Sequence, residues 1–140
     1  MSNFLQTKSA NNVKASQMLL KQDLNSPSVH CSYYACVQYM LHILHTKQGM
    51  TKESIDKEQR ELSMELSGGF HAWLINKFWA LLLGFERGET ARLFASYIGE
   101  LKGLRVKADY ENIEISAKKA KQAYETSEKI IKILKEKLDI

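Results

Sequence analysis

The hydrophobic pattern of the chain is strongest between Ser28 and His45. Apolar residues recur there at spacings of three and four, which predicts a helix with a wide apolar face. The residues of that face are Val29, Tyr33, Cys36, Val37, Met40, Leu41 and Leu44. The aromatic and histidine residues that border it or lie outside it are Tyr34, Tyr39, His42 and His45. Because such a helix is apolar or aromatic around most of its circumference, we expect it at the centre of the fold.

The ends of this helix are also marked in the sequence. Ser26 is a candidate N-cap, and Pro27 then occupies the first helical position, where the N–H that proline lacks would have no partner. Gly49 follows soon after Thr46, the last helical residue that we expect. A glycine in the left-handed conformation commonly ends a helix, so we predict that the chain leaves the helix here.

Helical patterns continue in other parts of the chain, namely residues 9–22, 70–83, 89–110 and 116–138. Residues 51–66 are highly charged and predict either a surface helix or a partly ordered excursion, which Gly68-Gly69 ends. No stretch alternates as a strand does. We therefore predict one all-α domain over residues 1–140, an up-and-down helical bundle of four long helices plus one or two short helices.

The predicted helix over residues 70–83 is apolar on nearly every side, with Trp73, Phe78 and Trp79 as its largest side chains. A small domain has limited room for so much aromatic surface. We therefore expect one face of this helix to meet another subunit, with these three residues at the interface of a homodimer.

The composition is globular, with 44% hydrophobic and 26% charged residues. No run reaches the roughly 18 apolar residues of a membrane span, and the first residues lack the charged-then-apolar pattern of a signal peptide. We expect a cytoplasmic protein with no membrane contact, in which Cys31 and Cys36 stay reduced. The net charge of +4 is spread along the chain, so charge alone gives weak support for nucleic-acid binding.

Familiar catalytic and metal-binding motifs are absent from the sequence. His42 and His45 are three apart on one predicted helix, and Cys36 lies upstream on a nearby face. No second cluster completes a metal site, so we interpret both histidines as polar groups at the margin of the core and expect no metal and no cofactor.

A more informative group closes the predicted helix over residues 89–110. Arg105 and Asp109 are four apart and hence neighbours on a helix, and Tyr110 follows them. These residues form either an ordinary surface ion pair or a guanidinium, oriented by Asp109, that holds a phosphate with two hydrogen bonds. His71, at the start of another helix, either packs beside Trp73 or contributes to a cap or a binding site.

Four pieces of the chain, taken in order, carry a family resemblance. They are SYYACVQYMLHIL, GGFHAWLINKF, RVKADY and the long final helix rich in alanine and lysine. Their order and spacing resemble the HEPN domain (higher eukaryotes and prokaryotes nucleotide-binding), and in particular its small single-domain members from bacteria and archaea. The resemblance spans residues 10–138.

The resemblance implies an up-and-down helical bundle, commonly a homodimer, often encoded beside a minimal nucleotidyltransferase in a two-protein, toxin–antitoxin-like system. Many HEPN proteins are metal-independent ribonucleases that use an arginine followed a few residues later by a histidine. This sequence departs from that motif. His71 lies too far beyond Arg60, and no histidine follows Arg87, Arg92 or Arg105.

We therefore expect a non-catalytic HEPN-like homodimer that binds a nucleotide or RNA, or acts as the helical partner of a nucleotidyltransferase. The expected ligand-binding residues are Arg105 and Asp109 for phosphate, and Tyr34, Tyr110 or His71 for stacking on a base. Two alternatives stay open: a helical interaction subunit without a ligand, and a ribonuclease with an unconventional site built from His71 and Arg105.

Overall fold

The computed structural model describes residues 4–63 and 69–140. All regular structure in these residues is helical, so the predicted all-α class is confirmed. The α-helices are α1 (Phe4–Lys21), α2 (Asn25–Thr46), α3 (Lys52–Ser63), α4 (Phe70–Leu82), α5 (Glu89–Tyr110) and α6 (Ala117–Leu138), with a short 3₁₀ helix (Glu86–Gly88) before α5.

Helix α2 lies at the centre of the protein and packs against α1, α5 and α6. Its apolar face is fully buried at Val29, Tyr33, Met40 and Leu44. Each large apolar side chain buried in this way stabilises the fold by about 1.5–3 kcal/mol. The central position expected from the hydrophobic pattern is confirmed.

The start of α2 differs from the prediction. The helix begins at Asn25, after Leu24, which makes no side-chain cap, so Ser26 is inside the first turn and is not the N-cap. Pro27 is the third helical residue, where a missing N–H still costs nothing because the first four N–H groups of a helix have no partner within it. The predicted start of α2 is wrong because it assumed a side-chain cap, and this helix has none.

The end of α2 agrees with the prediction. Gly49 has a φ of 63°, in the left-handed region. The chain turns back there, and the Met50 N–H donates to the carbonyl oxygen of Leu44 at 2.9 Å. Other boundaries follow similar local signals. Gly88, with a φ of 87°, precedes α5, and the Ser116 hydroxyl caps α6 by accepting from the Lys119 N–H at 3.1 Å.

Helix α1 is held against α2 by buried serines, although its prediction began at residue 9 and the helix begins at Phe4. The Ser9 hydroxyl donates to the Ala35 carbonyl at 2.6 Å, and the Ser28 hydroxyl donates to the Ser16 carbonyl at 2.8 Å. Small hydroxyl side chains let the two backbones approach closely while the buried hydroxyls of Ser9, Ser16 and Ser28 are themselves hydrogen-bonded.

The charged segment after α2 forms a helix over Lys52–Ser63, which agrees with the first of the two interpretations offered by the sequence. Its start has a local cause. The Ser54 N–H donates to the Thr51 hydroxyl at 3.1 Å, and the Thr51 N–H donates to the Ser54 hydroxyl at 2.9 Å. This reciprocal arrangement is a capping box. The predicted continuation to Leu66 and the break at Gly68 lie outside the described residues, and Gly69 precedes α4.

These helices bring three distant parts of the chain together. The last turns of α5 lie beside the first half of α2, and the first turn of α4 lies against the same part of α2. The loop between α5 and α6 is fastened to this end as well, because the Asn25 side-chain amide donates to the Ile115 carbonyl at 3.0 Å.

Candidate functional site

The guanidinium of Arg105, in the last turns of α5, is surrounded by three tyrosine rings. Its Cζ atom lies 4.9 Å from the ring centroid of Tyr33, 5.8 Å from that of Tyr34 and 5.7 Å from that of Tyr110. The side chain is only 7% exposed. A cation over aromatic faces gains about 0.5–2 kcal/mol, with the larger value where water is excluded. We call Arg105 and these three tyrosines the arginine cage.

Helical geometry explains how the cage forms. Tyr33 and Tyr34 are successive residues of α2, so one points into the core while the other lies at its border. Tyr33 is fully buried and Tyr34 is half-buried. Tyr110, at the end of α5, is 75% exposed and forms the open side of the cage.

Asp109 contacts both Arg105 of the arginine cage and His30, which was not among the ligand residues expected from the sequence. Its Oδ2 atom lies 2.8 Å from His30 Nδ1 but 3.8 Å from Arg105 Nη1. The His30 ring also packs on Tyr34, with centroids 4.7 Å apart. Asp109 is therefore hydrogen-bonded to His30 and forms only a long ion pair with Arg105.

His71, in the first turn of α4, joins the cage through a hydroxyl group. Its Nδ1 atom lies 2.7 Å from the Tyr33 hydroxyl oxygen, and its ring meets the edge of Tyr34 at 5.8 Å. Burial lowers the pKa of the imidazole below its ordinary value, and the positive charges of Arg105 and Lys102 lower it further. His71 is therefore neutral at neutral pH.

Arg105 is incompletely satisfied in this environment. Its Nε atom is buried and has no hydrogen-bond partner among the described residues. Three other buried atoms there also lack one, namely Asn25 Oδ1, His42 Nδ1 and Trp73 Nε1. Only Arg105 carries a permanent charge, and a buried donor without a partner costs about 1–3 kcal/mol, more when charged. The cage therefore holds a cation whose hydrogen-bonding capacity is not fully used.

The structure brings all five sequence-selected ligand residues into one cluster: Tyr34, His71, Arg105, Asp109 and Tyr110. It adds His30 and Tyr33 to them. One feature of the sequence could have indicated His30, namely its position four residues before Tyr34, which places both residues on one helix face. Tyr33 was assigned to the apolar face of α2, and no local pattern indicates that its hydroxyl reaches His71.

The three aromatic residues selected for a dimer interface occupy different environments. Trp73 and Phe78 are buried within the protomer, and only Trp79 is substantially exposed, at 41%. Of these three residues, only Trp79 therefore offers the exposed surface that a subunit contact requires. The dimer itself stays a prediction.

The histidines considered for metal binding have partners within the protein. His42 Nε2 lies 3.3 Å from Asp139 Oδ2, and His45 Nδ1 donates to the Met50 carbonyl at 2.8 Å. In the described parts of the chain, no group of three histidine, cysteine, aspartate or glutamate residues is arranged to hold a metal ion.

Over the same residues, no helix is long and apolar enough to cross a membrane. Cys31 and Cys36 are both free thiols.

Comparison with known proteins gives no relative for this chain. No protein-family model, no curated protein and no solved structure matches it. The arginine cage therefore has to be interpreted from its own geometry.

The cage predicts that Arg105 cannot be replaced by another cation. Lysine keeps the charge but lacks the planar group that stacks on the rings, so Arg105→Lys should lower the free energy of unfolding by about 1–2 kcal/mol. Urea denaturation measures this loss. Arg92→Lys is the matched control, since the exposed Arg92 pairs with Glu89 on the same helix. Equal stabilities for the two variants would contradict the cage.

Proposed function

We propose that this chain is a HEPN-like up-and-down bundle of four long helices that binds a nucleotide or an RNA end at the arginine cage without cleaving it. The observation that carries the proposal is the nearly buried Arg105, whose Nε has no partner within residues 4–63 and 69–140 and whose surrounding rings leave one side open at Tyr110. The resemblance of the sequence to HEPN domains points in the same direction.

A phosphate group suits this arginine. Guanidinium groups bind phosphate oxygens through charge-assisted hydrogen bonds that are stronger than neutral ones. Asp109 competes weakly for Arg105, because it lies 3.8 Å away and is hydrogen-bonded to His30. An anion therefore does not have to displace a tight internal ion pair.

A nucleobase suits the open side of the same cluster. The Tyr110 ring is mostly exposed yet lies 5.7 Å from the Arg105 guanidinium. A base stacked on this ring would place its own phosphate near the cation. Stacking on aromatic side chains contributes about 1–3 kcal/mol per base and tolerates different bases, which favours a nucleotide over inorganic phosphate.

The proposal assigns no cleavage reaction to the site. Cleavage of RNA requires a general base near the 2′-hydroxyl and a cation on the phosphate. The arginine–histidine motif of HEPN ribonucleases is absent from the sequence. In the HEPN-like setting, the domain would act as the helical partner of a nucleotidyltransferase in a toxin–antitoxin-like pair.

The proposal predicts that ATP, GTP or a short single-stranded RNA raises the thermal unfolding midpoint in a concentration-dependent way, since such a ligand binds only the native state. Tyr110→Ala should reduce the shift, as about 1–3 kcal/mol of stacking energy is lost. Arg105→Lys should reduce it further.

Each variant is compared with its own ligand-free midpoint, which separates binding from stability. Phe4→Ala, at another exposed aromatic residue, is the control and should keep the full shift. Failure of all three ligands to shift the native protein would contradict the proposal.

A second function, that of a helical interaction subunit, is favoured by the surface of α4. Trp79 in α4 and Leu83, which follows the last residue of α4 and keeps helical dihedral angles, are four residues apart and both exposed. Residues at this spacing lie on one side of a helix. We propose that this pair forms the contact of a homodimer, which is compatible with ligand binding at the cage.

The dimer proposal predicts that Trp79→Ala shifts the protein from dimer to monomer, because aromatic anchors contribute most of the energy at interfaces. Sedimentation velocity over a concentration series measures the change. Met18→Ala, which also removes an exposed apolar side chain, should leave the assembly unchanged. A native protein that sediments as a monomer at every concentration would rule out this contact.

A further inference from the structure

Tyr33 contacts both Arg105 and His71. Its hydroxyl oxygen lies 2.7 Å from His71 Nδ1, and the Cζ atom of Arg105 lies 4.9 Å from the centroid of its ring. Arg105, Tyr33 and His71 therefore form one continuous series of contacts across α5, α2 and α4.

The hydrogens of the Tyr33–His71 contact can be assigned by counting donors and acceptors. A guanidinium has donors only, so Arg105 cannot accept the hydrogen of the phenol. Burial raises the pKa of Tyr33 to about 12, so the phenol keeps its single hydrogen at neutral pH. That hydrogen is repelled by the cation, and its only hydrogen-bond partner among the described residues is His71 Nδ1, which therefore accepts it.

This count fixes the form of the imidazole. A neutral histidine carries one ring hydrogen, and the hydrogen bond made by one nitrogen determines which nitrogen carries it. Because Nδ1 accepts from Tyr33, the hydrogen of His71 must be on Nε2. In the described part of the chain, Nδ1 is the only hydrogen-bonded nitrogen of this ring, and Nε2 is not among the buried atoms without a partner.

We propose that Tyr33 is a positioning residue that holds His71 as the neutral Nε2–H form, and that His71 and Arg105 together donate hydrogen bonds to an unprotonated oxygen of the ligand. The identity of the ligand rests on the proposed function, whereas the form of His71 does not. Two groups that only donate favour an unprotonated phosphate or phosphodiester oxygen over a hydroxyl group.

The same assignment defines what His71 does not do. A general base needs a lone pair directed at the proton it removes, and here the lone pair of Nδ1 is occupied by Tyr33. The charged and titratable groups facing His71 are Arg105 and Lys102 from α5, and Tyr33 and Tyr34 from α2. They are positive or neutral, so none favours the imidazolium form.

The test is a long-range ¹H–¹⁵N correlation spectrum of the ligand-free protein labelled at its four histidines. His71→Gln identifies the His71 signal by its loss. We expect the Nε2–H pattern in the native protein and in Tyr34→Phe, the control that removes the neighbouring hydroxyl. Tyr33→Phe should give a mixture of both forms. A native protein with the hydrogen on Nδ1 would overturn the proposal and restore a general-base role.

Binding of ATP provides the second readout. His71→Leu removes one donor and should weaken binding about fivefold to tenfold, the equivalent of one hydrogen bond. An unchanged affinity would overturn the donor role. If ATP does not bind the native protein, the proposed function fails, yet the spectrum still decides whether Tyr33 holds the ring. The two failures are therefore distinguishable.

Discussion

The stacking of Arg105 on Tyr33 is the interaction on which the cluster depends. Removing a cation from water costs several kcal/mol unless other groups compensate. Here the compensation comes from three aromatic faces and a carboxylate at 3.8 Å, and it leaves the Nε atom unpaired. The contact joins α5 to the central helix α2, and the Tyr33 hydroxyl extends the connection to His71 on α4. A ligand oxygen would supply the hydrogen-bond partner that the Arg105 Nε atom lacks among the described residues.

The groups around the arginine cage leave Arg105 without a tight ion pair. Asp109 is the carboxylate nearest in sequence to Arg105 on the same helix, and it is hydrogen-bonded to His30 while its distance to the Arg105 guanidinium is 3.8 Å. His71 is neutral because burial and two cations lower its pKa. With His71 in the Nε2–H form that we propose, Arg105 and His71 both donate, while Tyr110 supplies an exposed ring beside them. The phosphate recognition and base stacking that we propose rest on this one arrangement.

Much of the fold was predictable because its signals are local. A left-handed glycine at position 49, the serine cap at position 116 and the apolar period of α2 act within a few residues. The start of α2 was mispredicted because no side-chain cap marks it, since the residue before the helix is Leu24. In the cluster, spacing indicated Arg105 with Asp109, but the partner of Asp109 is 79 residues away at His30. Such pairings depend on how the helices pack, and the spacing of residues along the sequence does not indicate them.

The most direct test of the central claim is the Nε–H signal of Arg105 in a ¹H–¹⁵N spectrum during a titration with ATP. If the unpaired donor takes a ligand oxygen, this signal should shift progressively and saturate, because formation of a charge-assisted hydrogen bond changes its environment. The Nε–H signal of Arg92, exposed on the same helix, should stay in place. A stationary Arg105 signal, or equal shifts at both arginines, would contradict the account.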